Sequence, residues 1–325
     1  MRQEWLLVYD NARDPGTVEK YVPANNRGNI LITSRNPVMH GLVNPRDSTE
    51  VDQMGEEEAI TLLLRASHCN DTTGELRQIA CSIVVTLCYL PLAIDQAGAS
   101  IASGLCDLGD YLEQYERHHQ ELLDNPSFSG ASNYGQAVYG TWELSVSEIE
   151  ARAHGRSKRG EAQAASRGAL LLLQIFACLH HENIPEMMFR SAAKEIALGR
   201  SQKNNSRSSW EQLLKDSGDW SNILHVDHAG NWDNFIFRKA VEMLISFSLV
   251  KCSSSGRLYS MHPLVHLWCQ DRCSKEEKKS KYVSADTLVC HSITYGNDGS
   301  DYAFNIRLSL MLSQLNVRSM MMILM

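Results

Sequence analysis

Two polar side chains with the chemistry to bind a phosphate and its metal ion stand directly after apolar runs near the start of the chain. Asp10 follows the run 5–9, and Arg35 closes the run 29–35. In an open parallel sheet, ligands bind outside the carboxyl ends of the strands. There a carboxylate can hold magnesium through water, and a guanidinium can meet a terminal phosphate. Taken alone, Asp10 could instead simply end a strand, and Arg35 could be an ordinary surface arginine.

Pro91 and His262 are two further candidate contacts. Pro91 lies in the segment CYLPLAIDQAGA, where a proline suits the first position of a helix. His262 precedes Pro263, and on the residues alone it could cap a helix. His262 and His266 have the i, i+4 spacing of a metal-binding pair, but no third ligand lies nearby in the sequence, so we expect no metal at this pair.

The elements that would carry Asp10 and Arg35 follow a strand, helix, strand order. Both apolar runs suit strands that are buried on both faces of a parallel sheet, and the segment 15–23 has room for one helix between them. The segment 49–54 alternates like a last strand. Helical periodicity then predicts a small bundle, with helices at 56–68, 73–87, 91–103 and 107–123.

The second half of the chain has the pattern of a winged helix. A stretch rich in Ser, Gly, Asn and Pro at 125–140 marks a boundary. A helix predicted at 233–247 is followed by two short strand-like segments around the turn 253–256, which is the order of a helix and its two-stranded wing. Further helices are predicted at 141–151, at 162–180 and from His262 to Arg272.

Bulk composition argues against several classes of protein. The 325 residues carry a formal net charge of −7, so no overall basic field favours nucleic acid as the main partner. Nine cysteines are scattered without a CxxC pair, which suits core positions in a reducing compartment. No apolar stretch is long enough to span a membrane. We therefore expect a cytoplasmic protein without membrane contact.

Four motifs, taken in order, resemble the NB-ARC module of STAND proteins in the version found in fungal NLR-like receptors. WLLVYDN resembles the Walker B strand, ILITSR the sensor strand, CYLPLAIDQAGA the GLPL motif and SMHPLVHLWCQDR the MHD motif. The resemblance covers about residues 4 to 305. It is carried by the order and spacing of the motifs rather than by any single one of them.

The resemblance implies a mainly α fold with a partial α/β domain. Residues 1–54 would be the C-terminal part of a nucleotide-binding α/β domain, with a fragment of the parallel P-loop NTPase sheet. Residues 55–125 would form a helical ARC bundle and residues 126–273 a winged-helix domain. Residues 274–325 would be a helical linker towards a missing C-terminal region.

The same resemblance implies a single nucleotide site. Asp10 would hold Mg²⁺ through water, beside Asn11, and Arg35 would sense the terminal phosphate of ADP or ATP. Pro91 would pack against the base and ribose, and His262 would reach the β-phosphate of ADP and hold the closed state. Exchange for ATP would move the winged helix away and permit oligomerisation, because one ligand makes different contacts in two domain arrangements.

Three departures from the family pattern bear on activity. The sequence has no GxxxxGK[ST] and no Gly-Lys dipeptide, so the loop that cradles the β- and γ-phosphates is missing. We therefore expect a chain that is truncated before Walker B or degenerate, with weak or lost nucleotide binding. Asn11 stands where many relatives carry a second acid, and an amide cannot act as a base, so we do not expect ATP hydrolysis. Pro263 replaces the aspartate of the MHD motif and leaves the histidine intact.

The sequence thus predicts a signal-transduction switch that binds ADP or ATP with Mg²⁺, of a kind that the resemblance links to innate immunity and programmed cell death. Its expected partners are the nucleotide and other protein chains, through oligomerisation or a missing effector domain. One alternative is a nucleotide-free protein-interaction scaffold. The other is a winged-helix DNA-binding regulator, although Arg238 and Lys239 of the predicted recognition helix stand close to Asp233 and Glu242 in the sequence, which leaves little basic face.

Overall fold

The computed structural model describes residues 5–23, 28–69, 74–125, 137–155, 160–201, 220–253 and 257–293 and the single residues 304, 306 and 308, with backbone alone for 196–201. Most of the predicted linker, beyond residue 293, lies outside the described residues. The chain divides into two compact units. The first unit contains Met1–Thr49, Ile149–His262 and Arg272–Met325, and the second contains Glu50–Glu148 and Pro263–Asp271.

Helices dominate the described residues, and the sheets are small. The helices are α1 (Pro15–Tyr21), α2 (Glu56–Ala66), α3 (Gly74–Thr86), α4 (Pro91–Ala102), α5 (Tyr111–Asp124), α6 (Val138–His154), α7 (Gly160–Cys178), α8 (Glu186–Ser201), α9 (Phe235–Ser246), α10 (Pro263–Asp271) and α11 (Lys275–Ser292). The strands are β1 (Trp5–Tyr9), β2 (Gly28–Ile32), β3 (Ile184–Pro185), β4 (Lys251–Cys252) and β5 (Leu258–Ser260). Within these ranges no helix combines the length and the apolar character needed to cross a membrane. The mainly α character is confirmed, whereas the division into α/β, ARC and winged-helix domains stays a prediction.

The first unit contains the predicted strand, helix and strand. β1 and β2 pair in parallel, in a register that sets Trp5 opposite Gly28. Gly28 is needed at this position because a Cβ atom there would lie 2.1 Å from the Trp5 ring. α1 connects the strands in sequence, and the side chain of Asp14 caps its first turn. The predicted parallel pair is therefore confirmed, with Asp10 directly after β1, whereas β2 ends at Ile32 and not at Arg35, which lies in the segment that follows the strand.

One face of this sheet is exposed, contrary to the prediction that the strands are buried on both faces. Leu6, Val8 and Leu31 are 64%, 49% and 52% exposed. Among the described residues β1 and β2 pair only with each other. Two strands with one crossover helix cannot cover both faces of a parallel sheet, which is why the apolar runs alone gave the wrong burial.

The rest of the first unit packs helices and an antiparallel sheet around aromatic side chains. α7 packs against α9 and α11, and α11 also packs against α8. β3, β5 and β4 pair in that order. Phe176, Phe189, Phe237 and Tyr259 lie in ring contact, with centroids 4.8 to 6.1 Å apart. The predicted order of one helix and two strands appears as α9, β4 and β5, while β3 was not predicted.

The second unit is a helical bundle that contains α2 to α5, α10 and the first part of α6. α2 and α4 approach closely at Gly98, where a Cβ atom would lie 2.4 Å from the Cβ of Ala66. Gln96 of α4 is buried, and its Nε2 donates to Leu122 O at 2.6 Å while its Oε1 accepts from Val138 N at 3.0 Å. Its amide thus joins α4 to the end of α5 and the start of α6. The helices predicted between residues 56 and 123 are all present, with small differences at their ends.

The segment 49–54 does not form the predicted strand. Val51 is 93% exposed, and Met54 N donates a hydrogen bond to Tyr89 O at 3.2 Å outside any ladder. Alternation produces a strand only where a neighbouring strand and a buried face are present. Within the described residues this segment has neither.

Candidate functional site

The ends of β1 and β2 are joined through one hydroxyl group. Thr33 Oγ1 donates to Asp10 Oδ1 at 2.6 Å and accepts from Asn11 N at 2.8 Å. Thr33 N also donates to Tyr9 O, and Ala12 N donates to Thr33 O, both at 2.9 Å. The Asp10 carboxylate is therefore held at the carboxyl edge of the sheet, and it is exposed there.

Asn11 turns the chain directly after Asp10. Its φ of 53° lies in the left-handed region, which asparagine adopts more readily than most residues. The same turn brings the Asn11 amide to Thr33 Oγ1. Asn11 thus has a backbone role in shaping this edge.

Further polar contacts join the chain segments beyond Thr33. Ser34 Oγ donates to Ala12 O at 2.6 Å, and Asn36 Nδ2 donates to Arg13 O at 2.9 Å. Arg35 lies between these contacts in the sequence and is exposed in part. Partial burial of its guanidinium lowers the pKa of Arg35, and the nearby charge of Arg13 lowers that pKa further. Arginine remains charged under any physiological condition, so Arg35 is a cation close to Arg13 at the sheet edge.

Arg13 connects the sheet edge to another part of the same unit. Its Cζ lies 5.7 Å from the ring centroid of Phe247, and the Cζ of Arg152 lies 5.4 Å from the same centroid. Both distances are within the range of a cation–π contact. Phe247 directly follows α9, so Arg13 ties the segment after β1 to the end of that helix.

His262 stands between β5 and α10. The residue before it is fixed because Met261 N donates to His181 O at 2.7 Å. His262 is half-buried, and its Nε2 atom is shielded from solvent. His266, its partner at helical spacing, is only 6% exposed. Among the described residues, no group of at least three His, Cys, Asp or Glu side chains is placed to hold a metal ion.

Pro91 is the first residue of α4 and follows Leu90, which is extended. Its predicted place at a helix start is confirmed. The side chain is exposed, as a ligand contact requires. Pro91 belongs to the second unit, whereas Asp10, Asn11, Arg35 and His262 belong to the first. The structure brings Asp10 and Asn11 together through Thr33, and the sharing of one site with Pro91 and His262 stays a prediction.

The sheet edge fits one part of a nucleotide site. An exposed carboxylate that a hydroxyl group holds in place suits contact with Mg²⁺ through water, because this ion prefers oxygen ligands and keeps several of its waters. Arg35 and Arg13 supply positive charge that suits a phosphate. The glycine-rich loop is absent from the sequence, so the residues present fit the metal ion and one phosphate but not the whole phosphate chain.

Thr33, Arg13 and Phe247 are the residues that sequence reasoning missed. Thr33 follows directly from the register of the two strands, since it stands one step beyond the paired Tyr9 and Ile32. A threonine at the end of ILITSR was therefore a usable signal. Phe247 could not be found in this way, because its contact with Arg13 joins distant parts of the chain.

Comparison with known proteins gives one similarity at the level of a broad class. No protein-family model matches the chain. The chain is 27% identical to a "Nucleotide-binding leucine-rich repeat (NLR)-like protein" of Hyaloscypha variabilis (strain UAMH 11265 / GT02V1 / F) over an alignment of 214 residues. The alignment covers 58% of this chain and 20% of the relative, so the chain spans about a fifth of that protein's length. The sequence is therefore similar to an NLR-like protein over more than half of its own length.

Proposed function

We propose that the chain is part of a signal-transduction switch of the NB-ARC type that binds ADP or ATP at the carboxyl edge of β1 and β2. The observation that carries the proposal is the exposed Asp10 carboxylate, which Thr33 holds at that edge. The similarity to an NLR-like protein supports the same class.

The residues of the edge have separate roles in this proposal. Asp10 accepts hydrogen bonds from the water molecules of a hydrated Mg²⁺ ion, Thr33 keeps the carboxylate in position, and Arg35 donates to the terminal phosphate. Bound Mg²⁺ would neutralise charge on the phosphates. The NB-ARC resemblance implies that Pro91 would contact the base and ribose and that His262 would contact the β-phosphate.

The contact of Arg13 with Phe247 connects the sheet edge to the end of α9 in the same unit, so binding at the edge can affect that helix. A phosphate that attracts Arg13 competes with the Phe247 ring for the same guanidinium. Binding at the edge would then change the contact at the end of α9. In a longer protein of this type, the response would accompany oligomerisation or release of an effector domain in the cytoplasm. The biological process proposed is innate immunity or programmed cell death.

Nucleotide exchange, rather than turnover, is the proposed activity. The position after Asp10 is occupied by Asn11, whose amide cannot take a proton from water. Exchange needs only a difference in affinity between two states. The absence of the phosphate loop predicts weak binding, with a dissociation constant of about 1 mM.

Equilibrium titration of the protein with ADP in the presence of Mg²⁺ tests the proposal. We expect saturable binding in the millimolar range that weakens when EDTA removes the metal ion. A micromolar affinity would contradict the weakening that we derive from the missing loop. No saturation by 10 mM, on the order of ten times the expected constant, would overturn nucleotide binding by this chain.

A nucleotide-free scaffold is the second candidate, and the missing phosphate loop favours it. Under this alternative the helical bundle and the α9 region bind proteins alone. The two candidates differ in thermal unfolding. A midpoint that rises with ADP and Mg²⁺ supports the switch, because a ligand that binds only the folded state stabilises it. A midpoint that ADP leaves unchanged supports the scaffold.

Contacts of α9 argue against the DNA-binding alternative. Arg238 is paired with Glu186 at 3.2 Å, and Lys239 is paired with Glu242 at 3.5 Å. These partners neutralise the cations that a recognition helix would offer to phosphates. A salt-dependent shift of duplex DNA by the protein would revive this alternative.

A further inference from the structure

α10 is a short helix of the second unit. The residues directly before and after it, His262 and Arg272, belong to the first unit. Its nine residues give a length of about 14 Å. An isolated helix of this length is not stable in water, so α10 depends on its contacts within the bundle.

The first set of contacts is apolar. Trp268 of α10 is 3% exposed and lies 5.7 Å from Trp142 of α6, measured between ring centroids. Trp142 in turn lies 5.9 Å from the ring of Tyr139. Leu264 and Val265 are buried as well. Apolar contacts of this kind favour docking of the helix but discriminate poorly between neighbouring positions along the bundle.

The second set of contacts is polar and directional. A single carboxylate oxygen, Asp271 Oδ2, lies 2.8 Å from Tyr139 Oη and 3.0 Å from His119 Nε2. The side chains of Asp271 and His119 are 15% and 27% exposed. One residue at the end of α10 is therefore joined at the same atom to α5 and to α6.

The direction of these hydrogen bonds follows from the groups. An ionised carboxylate only accepts, so both Tyr139 Oη and His119 Nε2 donate. Burial raises the pKa of Tyr139, and the charge of Asp271 raises it further, so the phenol keeps its proton. Tyr115 and Asp124 also lie near these groups. Hydrogen bonds to a charged acceptor are stronger than neutral ones and fix geometry more tightly.

We propose that Asp271, held by His119 and Tyr139, is a conformational clasp that fixes α10 on the helical bundle and thereby positions His262, the residue directly before that helix. Without the clasp, α10 can shift along the bundle or detach from it, because only its apolar contacts remain. The clasp itself rests on the contacts of α10 alone. Only the consequence for a nucleotide, through His262, rests on the proposed function.

Hydrogen exchange of the backbone amides in 263–271 tests the clasp in the full chain. Asp271→Asn and His119→Gln are expected to reduce amide protection of α10 by about tenfold or more, the effect of one lost hydrogen bond to a charged group. Asp107→Asn and His118→Gln are matched controls, because both residues are exposed in the same unit. The controls should leave α10 unchanged. Equal protection of α10 in the clasp variants and the controls would overturn the clasp.

Two further measurements, a double-mutant cycle and the NMR signal of the His262 imidazole, distinguish loss of the clasp from a general loss of packing. The two clasp variants should be non-additive, since each removes the same contact. The imidazole signal of His262 in a proton–carbon NMR spectrum, assigned by its absence in His262→Ala, should move in Asp271→Asn and stay in place in His118→Gln. Increased exchange of α10 with an unmoved His262 signal would overturn the positioning of His262.

The nucleotide arm distinguishes this proposal from the proposed function. If wild type binds ADP with Mg²⁺, Asp271→Asn and His262→Ala should weaken binding by similar factors, with no further loss in the double variant. Additive losses would overturn positioning through α10. If no variant binds ADP, the proposed function fails, and the exchange and NMR results still decide the clasp.

Discussion

Two carboxylates of the first unit accept a hydrogen bond from a hydroxyl group, and their surroundings give them different uses. Asp10 accepts from Thr33 at 2.6 Å and is exposed. Glu186 accepts from Tyr259 at 2.7 Å and from Arg238 at 3.2 Å, and it is only 4% exposed. A buried carboxylate must be fully satisfied by protein groups, whereas an exposed one can meet a ligand. Glu186 therefore stabilises the fold, whereas the exposed Asp10 is accessible for the binding that we propose.

Removing the buried carboxylate should have the largest effect on stability. Glu186→Ala leaves the buried Tyr259 hydroxyl without its acceptor, which lowers the free energy of unfolding by about 2 kcal/mol. Arg238 adds little because its side chain is 49% exposed. Chemical denaturation measures the change, and Glu161→Ala, at an exposed position in α7, is the control. Equal midpoints for the two variants would remove the contrast between Glu186 and Asp10.

The second largest effect is expected at alkaline pH, where the stability contributed by the buried pair of Tyr259 and Glu186 should fall. Burial raises the pKa of Tyr259 above its usual value, and the hydrogen bond to Glu186 and the charge of Glu186 raise it further. A raised pKa in the folded state means that this stability is present below the ordinary tyrosine pKa of about 10 and is lost as pH rises above it.

In wild type, ionisation linked to Tyr259 should lower the free energy of unfolding by about 1.4 kcal/mol per pH unit above the ordinary tyrosine pKa. Tyr259→Phe has no group to ionise at this position and should lack that contribution to the slope. Denaturation midpoints between neutral pH and pH values above the ordinary tyrosine pKa check this expectation. Tyr21→Phe is the control, because Tyr21 is 68% exposed. An alkaline slope that is identical in wild type and Tyr259→Phe would contradict the account of the buried pair.

Thr33→Val should have a smaller effect on stability and a clear effect on binding. The change keeps the shape of the side chain but removes the hydroxyl that joins Asp10 to Asn11. We expect a loss of about 1 kcal/mol in the free energy of unfolding, because the edge is exposed and water can replace the hydroxyl. Thr33→Ser retains the hydroxyl and should behave like wild type in denaturation. A loss as large as that of Glu186→Ala would show that the edge is part of the stable core.

The contact between Arg13 and Phe247 should contribute least. Arg13→Ala is expected to lower the free energy of unfolding by about 0.5 kcal/mol, the size of a cation–π contact at an exposed site. A double-mutant cycle with Phe247→Leu measures the coupling. Strict additivity would mean that Arg13 does not couple the sheet edge to the end of α9.

Local patterns in the sequence predicted the elements better than their surroundings. Trp5–Tyr9 was recognised as a strand and Pro91 as a helix start, because strand propensity and proline geometry act over a few residues. The open face at Leu6 and Val8 was not foreseen, since burial depends on what packs against the sheet. The segment 49–54 alternates but has no paired strand, so the same pattern gave a wrong element.

The candidate site was predictable only in part. Asp10 and Arg35 follow from the strand ends, and Thr33 follows once the register is known. Glu186 gave no signal in the sequence, because its partners Arg238 and Tyr259 are 52 and 73 residues away. The clasp at Asp271 is similar, since His119 is 152 residues away. Contacts of such sequence separation arise from packing and not from a local pattern.

The dependence of ADP affinity on both Mg²⁺ and Asp10 tests the central claim most directly. ADP titrations of wild type and Asp10→Asn, each with Mg²⁺ and with EDTA, compare a carboxylate with an uncharged amide at the sheet edge. Glu161→Gln, at an exposed position in α7, serves as the control. The account predicts weak binding that Mg²⁺ strengthens in wild type and in the control, with this gain lost in Asp10→Asn. An equal gain from Mg²⁺ in Asp10→Asn would contradict the account, because the metal ion would then bind somewhere other than the edge of β1 and β2.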